Sequence, residues 1–299
     1  MVLSVGRIAV AMGSFVSASL VLLVTFATLV SERRLPPIGC SAASTRDVFF
    51  AGGRPENARA ITWGNASILR RDGCAIAFDQ HSHTNESVGD VFSVATAWQV
   101  VDWHIRGGFN AFSLTDHNSF SGYERVADVV VTDPKFSGRM IVLPGVEWTT
   151  HYFHMNFHFD PIASLDVITA FVASLPKGYV DDTVAATVVS AAHSIGSVAV
   201  LNHPRYMRRS VGSGAMTVER AYAVGVDCIE AVGFDFWDDA VRAFCERNGL
   251  CMLSGSDVHE DVVTSVAYTL MKASDFTAKS VYEELVARRT VVSRISWFH

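Results

Sequence analysis

"AIAFDQHSHTNESVGD", residues 75–90, opens as a short apolar run, Ala75–Phe78, and turns abruptly to His81 and His83. Histidines at i and i+2 of an extended segment point to the same side, so the two imidazoles could grip one ion. The plain alternative is a solvated loop that happens to hold two histidines. Taken alone the pair is a weak signal for metal. The rest of the chain has to carry the reading.

Beyond residue 73 the chain alternates between two patterns. Six apolar runs read as buried strands: Ala75–Phe78, Ala111–Thr115, Met140–Leu143, Val198–Leu201, Val226–Val232 and Leu250–Ser254. Between them lie helical patterns, among them "VFSVATAWQVVDWHIRGG", "DDTVAATVVSAAHSIG", "DFWDDAVRAFCERNG" and "SVYEELVARR". Gly107 and Gly108 end the first of these. Near-continuous apolar strands alternating with helices predict an α/β fold with a parallel sheet or barrel.

The unusual polar residues fall at the ends of those strands. His81 and His83 follow the first, Asp116 and His117 the second, Glu147 the third. His154 lies in "HYFHMNFHF", His203 follows the next strand, and Asp257 and His259 follow the last. In a parallel barrel the carboxyl ends of the strands converge on one face, where catalytic groups gather. Histidines placed by chance would scatter over helices and surface. His104 and His193 do fall in helical patterns and read as packed or capping residues, while His151 and His158 stay open.

Six motifs occur in order: H-x-H-T, T-D-H-N, G-x-E, H-x-N, N-H-P and G-S-D-x-H. Together they resemble the PHP (polymerase and histidinol phosphatase) superfamily, nearest to its small metal-dependent phosphoesterases, over roughly residues 74–299. The resemblance implies a distorted (β/α)7 barrel holding two or three divalent ions. By that resemblance His81, His83, Glu147 and Asp257 hold a first ion. Glu147 bridges to a second ion held by His154 and His203, and His117 and His259 help hold a third. The family's additional acid, expected in an S-D-G turn, is replaced here by Ser87-Val88-Gly89, which makes Asp90 the substitute and Glu86 its alternative. His154 is preferred to His158 because His154 and Asn156 match H-x-N.

Mixed histidine and carboxylate ligands suit Zn²⁺, Mn²⁺ or Fe²⁺. Two such ions bridging a water make hydroxide available near neutral pH and polarise a phosphoryl or carbonyl oxygen. The implied activity is metal-dependent hydrolysis, with a phosphoester first and a carbamate or amide second. A non-catalytic metal-binding scaffold is the alternative from outside enzymology. Asp257 and His259 are the candidate general acids, and Arg205, in "HPRYMRR", is the candidate clamp for a phosphate. Asp116 either orients its neighbours or caps a helix.

Composition limits the partners. The chain has 299 residues, 49% of them hydrophobic, and 24 Lys+Arg against 30 Asp+Glu give a formal charge of −6. That balance points to a small-molecule substrate and away from general nucleic-acid binding. The 5 cysteines form no C-x-x-C pair, so neither a disulfide framework nor a zinc ribbon is expected. From Ile8 to Val30 runs a stretch of 23 residues without a charge. As a helix it would be about 34 Å long, enough to cross a bilayer core. A cleaved signal peptide is the alternative, but the apolar stretch is long for one and no small-x-small site follows closely. Residues 1–34 are therefore expected to form a transmembrane anchor or signal segment, 35–73 a linker and lead-in, and 74–299 the PHP-like metallohydrolase domain. The chain would then be membrane-bound, or secreted if the segment is cleaved.

Overall fold

Each of the six apolar runs becomes a strand, and around them the computed structural model describes residues 59–88, 93–233, 237–261 and 266–296. The anchor segment, residues 8–30, and Asp90 lie outside the described residues. Among the described residues no helix is long and apolar enough to cross a membrane.

The strands are β1 (Arg59–Trp63), β2 (Cys74–Asp79), β3 (Ala111–Leu114), β4 (Ile141–Thr149), β5 (His154–Phe159), β6 (Ser197–Leu201), β7 (Cys228–Val232), β8 (Cys251–Ser254), β9 (Val266–Ala273) and β10 (Val291–Ser296). The helices are α1 (Ala97–Arg106), α2 (Gly122–Thr132), α3 (Leu165–Ala173), α4 (Asp182–Ser194), α5 (Pro204–Val211), α6 (Val218–Val224), α7 (Asp239–Asn248) and α8 (Ala278–Val286). Local chemistry sets several helix ends. Thr96 and Gln99 form a reciprocal capping box at the start of α1, and Asp181 and Asp238 accept backbone N–H bonds at the starts of α4 and α7.

One sheet contains all ten strands, in the order β1-β10-β9-β2-β3-β4-β5-β6-β7-β8. β2, β3 and β4 pair in parallel, as do β6, β7 and β8. β5 runs antiparallel to both β4 and β6, so the six predicted strands share one direction. The expected parallel sheet or barrel is in detail a mixed one, with β5 and β9 reversed and β10 antiparallel to β9. The sheet also begins earlier than the motifs do, because β1, inside the expected linker, pairs with β10.

The sheet curls until its last strand meets β2. The Gln80 N–H donates to Ser254 O at 3.3 Å, the Asp257 N–H to His81 O at 3.0 Å and the His83 N–H to Val258 O at 3.1 Å. Inside, Ile76, Phe78, Leu143, Val200, Leu253 and Met271 stack with neighbours from α8, including Val281 and Leu285. Outside, Met155, Phe157 and Phe159 of β5 pack in a second apolar layer with Ile168 of α3 and Val189 of α4. Burial of these side chains contributes roughly 1.5–3 kcal/mol each and leaves the strands' polar ends as the one interrupted layer. One cysteine expectation is corrected: Cys228 and Cys251, opposite each other on β7 and β8, form a disulfide. Spacing along the chain does not reveal a pair brought together by strand register.

Candidate metal centre

Glu147 lies near the carboxyl end of β4, and Gly145 lets it get there. A Cβ on Gly145 would sit 2.5 Å from Ser113 Oγ and 2.8 Å from Leu114 O, so β3 and β4 could not approach this closely with any larger residue. The Glu147 carboxylate is fully buried and ringed by imidazoles. His81 Nε2 is 3.1 Å from Oε1, His203 Nε2 3.3 Å and His154 Nδ1 3.2 Å. On Oε2, His117 Nδ1 is at 2.7 Å and His83 Nε2 at 3.6 Å.

Asp257 approaches the same group from the β8 end. Its Oδ1 is 3.1 Å from His83 Nε2, 3.4 Å from His81 Nε2 and 3.6 Å from His259 Nδ1. Nε2 of His259 is 3.2 Å from Nε2 of His117. The side chains of Asp257 and His259 keep 35% and 16% of their exposure, so these two edge the centre where substrate would enter. His154 belongs here although it begins β5. Because β5 is reversed, its start lies beside the ends of the parallel strands, and it pairs with Thr149 across a tight hairpin.

Backbone geometry also singles out two of these residues. His203 and Asp257 have φ of 26° and 53°, in the left-handed region that costs a non-glycine residue roughly 1–3 kcal/mol. Such strain persists where the surroundings over-determine it, and here it turns both side chains toward the shared centre.

The charges explain one another. Burial alone would raise the Glu147 pKa, but His81, His117 and His154 hold it well below the usual carboxylate range. Burial likewise opposes the charge on His81, yet Glu147 and Asp257 raise it well above the ordinary histidine value. His83 goes the other way, pushed well down by burial and by its neighbour His117. Asp257, against its burial, is held low by His81 and His83.

Five imidazoles around one carboxylate, with a second carboxylate beside them, is a donor set suited to divalent transition metals. Four overlapping groups place their ligand atoms within 4.8 Å of one another: His81-His83-Asp257, His81-Glu147-His203, His117-Glu147-His154 and His83-His117-His259. Nε2 of His81 is buried without a hydrogen-bond partner. A nitrogen so placed among carboxylates is what an ion's ligand looks like. The residues present fit the group.

Eight of the nine expected ligands come together, and the ninth, Asp90, lies outside the described residues. Its alternative, Glu86, is engaged elsewhere, ion-paired to Arg125 and accepting a bond from Ser121 Oγ at 3.2 Å. His158 sits below the centre, contacting Ser113 Oγ at 2.8 Å and Gln80 Oε1 at 3.1 Å. Burial lowers its pKa to about 3, so it is a neutral hydrogen-bonding residue, and His154 is the one at Glu147. Asp116 orients the H-x-H-T loop, accepting from Thr84 N–H at 2.6 Å, Thr84 Oγ1 at 2.7 Å and Ser87 Oγ at 2.9 Å. Burial raises its carboxyl to about 6.

A cavity of about 790 Å³ opens over the centre. Its wall includes Asn118, Thr149, His151, Lys177 and Tyr206 besides the ligands. Arg205 is exposed on α5 and is not part of that wall, whereas Lys177 is. The functional residue that motif reading misses is Glu230. Its Oε2 is 2.9 Å from His81 Nδ1 and accepts from Gln80 Nε2 at 2.5 Å. A lone acid within the buried strand "CIEAV" is the available signal.

No family model and no curated protein matches the sequence. Solved structures do match in architecture. One is a two-domain protein from Bacteroides vulgatus containing a predicted PHP-like metal-dependent phosphoesterase, at 19% identity and TM-score 0.55, covering 76% of this chain and 66% of that one. This chain thus spans just under two thirds of that protein. Another is a lesion-specific endonuclease from Pyrococcus furiosus, at 15% identity and TM-score 0.53, covering 71% of this chain and 56% of that one. A third is endonuclease Q in complex with a duplex substrate carrying an abasic lesion, at 14% identity and TM-score 0.54, covering 71% and 57%. Six ordered motifs, ligands gathered at one end of the sheet and this shared architecture agree: the chain has the PHP fold.

Proposed function

We propose that this protein is a metal-dependent hydrolase whose substrate is a small phosphoester. The observation that carries the reading is one buried carboxylate, that of Glu147, with five histidine nitrogens within 3.6 Å and Asp257 beside them. Divalent ions held there would activate water and polarise a phosphoryl oxygen. Zn²⁺, Mn²⁺ and Fe²⁺ suit the donor set. His81, His83, Glu147 and Asp257 would hold a first ion, Glu147, His154 and His203 a second, and His117 and His259, with Asp90, a third.

The chain's own residues supply the remaining chemistry. Of the two candidate acids at the solvent edge, His259 is the one that would deliver a proton to the leaving oxygen, because Asp257, held well below the usual carboxylate range, carries none to give. Lys177, on the cavity wall, replaces Arg205 as the cation best placed for a phosphate. The formal charge of −6 favours a small substrate over a nucleic-acid strand. Residues 8–30 are proposed as a membrane anchor, on the length of their uncharged apolar run.

The test is a panel of phosphomonoesters, phosphodiesters, carbamates, amides and a DNA oligonucleotide, offered to the metal-reconstituted full chain. Phosphoester turnover should exceed the others. Lys177→Ala should lower kcat/KM on phosphoesters about ten- to a hundredfold with metal content unchanged, as loss of one charge-assisted bond of roughly 1.5–3 kcal/mol implies. Preferential hydrolysis of carbamates, amides or the oligonucleotide would contradict the reading.

A further inference from the structure

Below the ligands lies a second fully buried acid–histidine pair, Asp79 and His104. Asp79 ends β2, and His104 is on α1, sequestered among aromatics: its ring stacks on Phe112 with centroids 4.0 Å apart and meets Trp103 and Phe109 edge-on. Asp79 Oδ2 is 3.1 Å from His104 Nε2, and His104 Nδ1 is 2.7 Å from Val100 O, so both ring nitrogens are committed. The other oxygen, Oδ1, accepts two backbone N–H bonds from different strands' ends, His81 at 3.1 Å and Ser256 at 3.0 Å.

Both amides belong to turns that carry candidate ligands. His81 is one itself, and Ser256 immediately precedes another, Asp257. β2 lies within the sheet and β8 at its far edge, so they meet only where the sheet curls round. At that seam Ser256 Oγ donates to His81 O at 3.0 Å, and the Asp257 N–H donates to the same oxygen at 3.0 Å. Asp79 therefore sits astride the closure, one oxygen fixed by α1 and the other tying the two ligand-bearing turns. A buried polar pair is costly relative to apolar packing, and its best-attested use is to fix one register.

We propose that Asp79, held by His104, is a positioning latch that closes the sheet between β2 and β8 and sets the spacing of His81 and Asp257 for the metal they share. A core pair with a purely structural role would affect folding stability alone. The latch acts on ligand geometry and so on metal affinity. The proposal rests on the metal centre but not on the substrate.

The test titrates the metal-free full chain with Mn²⁺ against a competing chelator, alongside thermal melting. Asp79→Ala should weaken Mn²⁺ binding about ten- to a hundredfold, the usual effect of removing a group that orients a ligand. Asp79→Asn retains an oxygen for both amides and should recover most of the loss. If Asp79→Ala does not fold, His104→Phe takes its place, since it keeps the aromatic stack and removes the bond to Asp79. Weaker Mn²⁺ binding then supports the latch. Lower melting with unchanged Mn²⁺ affinity, in whichever of the two variants folds, overturns it. Failure of the unaltered chain to bind Mn²⁺, Zn²⁺ or Fe²⁺ would instead overturn the metal centre itself.

Discussion

Glu230 shows how much of the centre depends on a residue that need not touch an ion. With Oε2 facing His81 Nδ1 at 2.9 Å, it would keep a proton on that nitrogen once an ion is bound and leave Nε2 toward Glu147 and Asp257. Glu230→Ala should weaken metal binding about ten- to a hundredfold in a chelator competition, and Glu230→Gln should weaken it less. Equal affinity in Glu230→Ala and the unaltered chain would show that His81 needs no such partner. Among individual residues, the cluster around Glu147 is legible because its spacing follows motifs, and His154 rather than His158 is the one beside that carboxylate. Glu230 and Asp79 are not, since each is a solitary acid in or after an apolar strand, and only the fold shows that an imidazole faces it. Arg205 lies off the cavity wall for a related reason. Adjacency to His203 in sequence does not give the same heading, because α5 starts at Pro204 and turns the next side chain out to solvent.

At the level of elements, the six strands that run parallel are all readable, because burial on both faces leaves continuous apolar runs. β5 is hidden by its alternation of His154, Asn156 and His158 with Met155, Phe157 and Phe159, in which the polar face lines the centre instead of solvent. β9 is obscured by Thr269 and Lys272, which are buried with Thr269 Oγ1 accepting from the Ser254 N–H and Lys272 Nζ donating to Gly73 O. Elements away from the centre are joined by charge. His193 at the end of α4 contacts Asp227, just before β7, at 2.9 Å, and Arg288 reaches the same carboxylate at 3.0 Å. The bond to Asp227 raises His193 above its ordinary value of 6.5. A histidine with a raised folded-state pKa adds stability that is full below 6.5 and is lost as pH rises through the raised value. Asp227 is held below its ordinary value of 3.8, against its burial, by His193, so its share persists above that value and fades as pH falls through the lowered one. His193→Ala should therefore lower the melting temperature measurably at about pH 5.5 and less at about pH 8.5, as scanning calorimetry would show. An equal effect at both pH values would mean that the charged pair adds nothing.

Over the whole molecule, one curled sheet brings residues from positions 81 to 259 to the same end, and the two apolar layers leave that end as the place for charge. A cavity of about 790 Å³ is large enough for a small ester and sits directly above the ligands. The Cys228–Cys251 disulfide ties β7, which carries Glu230, to β8, which leads into Asp257. All of these features converge on Glu147, whose loss would leave the surrounding imidazoles without the carboxylate they share. The most direct measurement is elemental analysis of the purified full chain and of Glu147→Ala, both reconstituted in turn with Zn²⁺, Mn²⁺ and Fe²⁺. The unaltered chain should hold about two or three ions and Glu147→Ala fewer than about one, as a shared bridging ligand requires. An unaltered chain that retains no ion with any of the three metals, or a Glu147→Ala chain that retains the full complement, would contradict the account.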